Sequence, residues 1–159
     1  MKTKLITAFL ICFFANIFIA QTLVRPSEFK LSSTAAFLKT KGFDILEQTD
    51  TFIKIGNKEK ATLYIDLASE KKFLLLNMNI LLRKDITKEE IDSLINEINS
   101  LDMIKANYLA NQHAISFKYY FWMVNGFTYE SLEDAVNEFF LYQGDAYALD
   151  KEKIFNYQQ

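Results

Sequence analysis

Cysteine is nearly absent: Cys12 is the chain's single cysteine, and it lies within the first twenty residues. The rest of the chain therefore has no disulfide, no thiolate nucleophile and no cysteine-based metal site. Proline occurs once, at Pro26, and the four glycines are widely separated, which excludes a glycine-rich phosphate loop and implies short turns rather than linkers. Histidine also occurs once. His113 falls in a turn-like stretch whose neighbours Asn111, Gln112 and Ala114 offer a metal no further ligand, so it reads as an exposed turn residue. HExxH and GxSxG patterns are missing, as are internal repeats and low-complexity tracts. With 18 basic against 20 acidic residues there is no basic stripe, and nucleic-acid binding is excluded as the main task, because neutralising phosphates needs clustered Lys and Arg.

One long apolar run is present. Lys2 and Lys4 precede residues 5–20, which are interrupted only by Thr7 and Asn16 and end at Ala20 before polar Gln21 and Thr22. A charged start, an apolar middle and a small residue at the end describe a secretory signal peptide. The run is shorter than the roughly 20 apolar residues a bilayer span needs. Export to the periplasm or beyond is expected, with membrane contact confined to export. Removal of residues 1–20 takes away Lys2 and Lys4 and leaves 16 basic against 20 acidic residues, a net charge of −4. About 139 residues remain, enough for one apolar core.

Within them, residues 21–31 read as an extended lead-in, 32–149 as a single α+β domain and 150–159 as a C-terminal tail. Ser32 or Ser33 is placed to cap a first helix and Gly42 to end it, with Phe43 packing back on the last turn. Strand-like pieces follow near 44–47, 51–55, 61–67 and 73–82, separated by turn-like QTD, GNKEK and SEKK. In DITKEEIDSLINEINS, Thr87 and Glu90 make a capping box, Ile86 and Ile91 a hydrophobic staple, and Ile91, Leu94, Ile95 and Ile98 an apolar stripe. Two more strands, 103–109 and 114–124, flank the turn ANQH. A last helix begins after Thr128, buries Leu132, Val136, Phe139 and Phe140, and is ended or bent by Gly144. The expected fold is an antiparallel sheet of about five strands with helices on one face, in the order α-β-β-β-α-β-β-α.

Five aromatic residues crowd positions 117–122. Alternation along a strand sends Ile115, Phe117, Tyr119, Phe121 and Met123 to one face, which must be core, and Ser116, Lys118, Tyr120 and Trp122 to the other. Leu63, Ile65, Leu74, Leu76, Met78 and Ile80 join the first face. A sheet with helices on one side only would then expose Tyr64, Asn77, Asn79, Lys118, Tyr120 and Trp122, a mixture of amphipathic rings and amides suited to recognition. Cross-strand packing alone also accounts for Tyr120 and Trp122.

The order of elements, with LINEINSLDMIKANYL and FKYYFWMVNGFTYESLEDAVNEFF, resembles the YbjN-type family of candidate bacterial sensory transduction regulators, whose domain is similar to type III secretion chaperones. Asn96, Asn99, Lys105 and Tyr108 look like the family's helix-to-strand junction. The resemblance spans about residues 33–149. It implies a non-enzymatic, often dimeric module that binds another protein, although many relatives lack an export signal.

No enzyme chemistry or cofactor is expected. Glu89, Glu90 and Asp92 sit where a helix dipole accounts for them. Asp66 with Glu70, or Asp145 with Asp150, would need a cleft to act as an acid-base pair. The second expectation for function is a carrier of a small apolar ligand or lipid, held in a cavity between the sheet and the C-terminal helix.

Overall fold

A computed structural model describes residues 22–156. The expected export segment, residues 1–20, lies outside the described residues. Three helices, α1 (Leu31–Thr40), α2 (Lys88–Asn99) and α3 (Tyr129–Leu149), accompany six strands: β1 (Asp44–Gln48), β2 (Phe52–Gly56), β3 (Thr62–Leu67), β4 (Phe73–Leu81), β5 (Lys105–Leu109) and β6 (Ala114–Trp122). The strands form one antiparallel sheet in the order β1-β2-β3-β4-β6-β5. The α+β class holds. Four strands rather than three precede α2, because the piece near residue 44 pairs with β2 as an edge strand carrying a bulge between Ile45 and Glu47.

Alternation sets the two faces. Ile53, Ile55, Leu63, Ile65, Leu74, Leu76, Ile115 and Phe117 are fully buried on one of them, at about 1.5 to 3 kcal/mol of burial each. Against this face α1 packs on β1 and β2, α2 on β5, and α3 on β6 and the other two helices. Leu132, Val136 and Phe139 are the buried stripe of α3, while Phe140 is only partly covered and stacks on Phe43 at 6.1 Å.

Helix ends follow local chemistry, with two corrections. Thr87 and Thr128 both cap through reciprocal boxes, the second closed by Ser131. Helix α1 instead starts after Lys30 with no side-chain cap, so neither Ser32 nor Ser33 does the work expected of it. At its other end Gly42, at φ +90, lets Phe43 N–H reach Leu38 O and its own N–H reach Lys39 O, which closes a Schellman turn and buries Phe43. Gly144 does not end α3. The helix runs on to Leu149, because Gly144 sits on its exposed side and the buried stripe continues through Gln143 and Ala146.

Both flanks of the expected domain belong to the packed unit. Val24 bridges Phe127, and Phe29 is buried with its ring 5.8 Å from that of Phe127. After α3, Asp150 accepts the N–H groups of Ile154 at 2.6 Å and Phe155 at 3.0 Å, turning the chain back so that Phe155 bridges Leu82. The Phe155 ring enters the core 6.0 Å from Phe117 and 5.7 Å from Tyr147. The boundaries at 32 and 149 therefore fall inside the fold.

Candidate interaction surface

No described helix lies on the other face of the sheet, and the register arranges its side chains in rows. One row runs Lys54, Tyr64, Asn77, Lys118, Lys105 across β2, β3, β4, β6 and β5. The next runs Phe52, Asp66, Leu75, Tyr120, and beyond it Phe73 faces Trp122. Asn79 lies opposite Ser116 on the far side of the lysine row. All six residues expected on this face, Tyr64, Asn77, Asn79, Lys118, Tyr120 and Trp122, share it. They differ in availability.

Tyr120 and Trp122 are 46% and 63% exposed, and Phe73 packs edge-on to both rings at 5.2 and 5.5 Å. These three rings form an open aromatic platform. Tyr64 is half-buried between the Phe52 ring at 5.7 Å and the Lys54 ammonium, 5.1 Å above its own ring. Asn77 Nδ2 donates to Asp66 Oδ2 at 2.7 Å, and Asn79 Nδ2 donates to Gln112 Oε1 at 3.3 Å, so both amides hold neighbours in place. Lys118 is half-buried opposite Lys105, whose ammonium turns away to the Asn99 and Leu101 carbonyls at 3.0 and 3.1 Å. That swing removes a like-charge clash and satisfies the end of α2. Asp66 stands beside the platform. Partial burial raises its pKa from the ordinary carboxylate value, and the Asn77 hydrogen bond pulls it partly back.

Phe73 and Phe52 belong to this surface and were not singled out from the sequence, and Asp66, considered there with Glu70 for acid-base chemistry, stands among them. For Phe73 and Phe52 the signal was the same period of two, carried two residues back from Leu75 and Lys54.

His113 departs from expectation. It occupies the β5–β6 turn at φ +49 but is half-buried, with Nε2 2.8 Å from Arg83 O and Nδ1 2.9 Å from Tyr108 Oη. A carbonyl can only accept, so Nε2 carries the proton and Nδ1 receives the tyrosine hydroxyl. Both ring nitrogens are engaged. The connection from β4 to α2 passes directly over this turn, which no local pattern discloses. An open cleft of about 630 Å³ adjoins it, lined by Leu81, Leu82, Arg83, Lys84, Asp85, Gln112, His113 and Asn156.

Three of the four carboxylates considered for acid-base chemistry have structural partners, and Asp145 lies exposed on α3. Glu70 pairs with Lys72 at 2.5 Å, Asp66 with Asn77, and Asp150 with two backbone N–H groups. Among the described residues, no three His, Cys, Asp or Glu side chains gather as a metal site would require, and no helix is long and apolar enough to cross a membrane. The hollow between the sheet and α3, bounded by Met103, Ile104, Tyr119, Ala135, Phe139 and Tyr142, has no room for a water molecule. The cavity expected for an apolar ligand is filled there by side chains.

No protein-family description matches the chain, and no curated protein matches it by sequence. Among solved structures it is similar to that of YbjN from E. coli, described as a candidate transcription regulator. The two share 16% sequence identity with a TM-score of 0.68, over 85% of this chain and 99% of the YbjN chain. The chain thus carries the YbjN-type fold expected from its order of elements.

Proposed function

We propose that this chain is an exported, non-enzymatic binding protein, chaperone-like or regulatory, that docks another protein or a peptide segment through the open face of its sheet. The observation that carries this reading is the platform of Phe73, Tyr120 and Trp122 on the open face, where β4 begins and β6 ends, with the Tyr120 and Trp122 rings exposed and the opposite face holding the core. Exposed Trp and Tyr beside polar groups are the composition of binding hot spots. The regulatory role described for YbjN is compatible with a protein partner. Export rests on the sequence of residues 1–20, and a second copy of the chain is an admissible partner.

A photo-crosslinking residue at position 122, compared with one at exposed Asn137 on α3, tests the docking face in the native envelope. Discrete adducts at 122 and none at 137 are expected. Tyr120→Ala with Trp122→Ala should leave the melting temperature nearly unchanged and abolish the adducts of a crosslinker placed at Asn79. Adducts at 137 alone would move the site to the helical layer and end this reading.

A further inference from the structure

Most charges on the open face are already answered within the chain. Three lysines, Lys54, Lys118 and Lys105, stand in one row of the sheet. Lys54 lies over the Tyr64 ring at 5.1 Å and faces Glu47 across the β1 edge. Lys105 turns its ammonium to the Asn99 and Leu101 carbonyls. Asp66, the acid of the next row, accepts from Asn77 Nδ2 at 2.7 Å. Lys118 is the exception. Its neighbours across the strands are Asn77 and Lys105, and among the described residues no carboxylate lies within ion-pair distance of it. A half-buried lysine of this kind keeps its stem on the sheet and its charge in water. This open cation shares a strand with the aromatic platform. Lys118, Tyr120 and Trp122 project from one face of β6 at alternate positions, and Asn77, Leu75 and Phe73 repeat the polar-to-apolar gradient beside them on β4. Alternate residues of a strand are about 6.8 Å apart, so Lys118 stands about 13 Å from Trp122 along β6.

We propose that the partner's docked segment is acidic as well as apolar: a bulky apolar side chain sits on the Phe73, Tyr120 and Trp122 rings, and an Asp or Glu pairs with Lys118. In an extended segment the two side chains would be about two to four residues apart, the reach from Tyr120 or Trp122 to Lys118. This rests on the docking face proposed above and states the chemistry of what occupies it. Charge complementarity chooses the sign. A basic segment would bring a like charge to Lys118, and Asp66 is already held by Asn77. A nucleic acid would need several open cations where this face offers one. Pairing of this kind sets specificity and association rate more than affinity, so the rings remain the anchor and Lys118 selects among apolar segments.

Short random peptides displayed on phage serve as the probe. They are selected on the full chain and counter-selected on the chain carrying Tyr120→Ala with Trp122→Ala, which removes peptides held elsewhere. Enrichment of an aromatic or branched aliphatic residue with Asp or Glu close by is expected. An enriched peptide should bind Lys118→Gln about threefold and Lys118→Glu about tenfold more weakly than the parent, with unchanged melting temperatures. Changing the peptide's own acid to lysine should restore its binding to Lys118→Glu. Salt should weaken its binding to the parent and hardly affect that to Lys118→Gln. Peptides that need the rings but carry no acid, or carry lysine or arginine instead, would overturn this inference and leave the docking face standing. A dimer that the ring variant dissociates would give the face to a second copy and overturn it as well. Finding no peptide that distinguishes parent from ring variant would also overturn it, and crosslinking at position 122 would then decide whether the docking face itself survives.

Discussion

His113 Nε2 donates to the carbonyl oxygen of Arg83 at 2.8 Å, and this contact joins the β5–β6 hairpin to the strand exit thirty residues earlier in the chain. Arg83 continues the link. Its N–H bonds Ile154 O at 3.0 Å, Nη1 reaches Lys153 O at 3.2 Å, and its guanidinium pairs with Asp85 at 2.5 Å. The hairpin, the β4–α2 connection and the C-terminal segment thus converge on two residues. His113→Ala leaves Tyr108 and Arg83 O without their partner and keeps a positive φ. It is expected to destabilise the fold by about 1 to 3 kcal/mol in urea unfolding. His113→Asn, which tolerates φ > 0 better, should lose less. Equal stability of the alanine variant and the parent would show that the link carries no free energy.

Phe155 is the anchor of the C-terminal segment. Truncation to alanine empties a volume between Phe117, Tyr147 and Leu82 and should lower stability by about 3 to 5 kcal/mol. Native-state hydrogen exchange should find Ile154 and Asn156 N–H, which are bonded to Asp150 Oδ1 and Leu81 O, exposed before the sheet opens. Retained protection there would mean the backbone contacts suffice.

Gly144 is a helix-interior glycine with open space around its missing Cβ. Gly144→Ala should stabilise by about 0.5 to 1 kcal/mol, raising the melting temperature by a few degrees, about 2 to 5 °C. A loss of stability would mean that the helix is interrupted there after all.

Asp66 makes stability depend on pH in an unusual sense. Burial raises its folded-state pKa above the ordinary 3.8, with Asn77 opposing the rise. The folded state therefore holds the proton more tightly than the unfolded chain does. The ionised carboxylate works against folding above the folded pKa, and that penalty disappears as pH falls from the folded value through 3.8. Asp66→Asn should match or exceed the parent in melting temperature at pH 7, and the gap should close as pH is lowered toward 4. A gap that widens on acidification would reverse the assigned direction.

Patterns of near neighbours were legible before any coordinates. Thr87 and Glu90 sit three residues apart and form the box their spacing predicts, and Gly42 ends α1 through the left-handed turn that its position requires. The alternation in β4 and β6 separated Leu74, Leu76 and Phe117 from Asn77, Lys118 and Trp122 without error. The open face was read from the same signal, although Asn77 and Asn79 proved to be holding Asp66 and Gln112. Whether Tyr120 and Trp122 would be covered was not legible, since covering depends on where the chain ends travel.

By itself, then, the sequence determined the elements whose causes lie within four residues: caps, strand faces, helical stripes and the single-sided core they imply. Only the tertiary structure decided what depends on distant chain meeting distant chain. It seats Phe155 under Phe117, turns His113 inward onto Arg83, fills the space beneath α3, and leaves the rings of Tyr120 and Trp122 bare. The reason is physical: local pattern records which side of an element is apolar, while burial depends on which surfaces remain when all elements have packed.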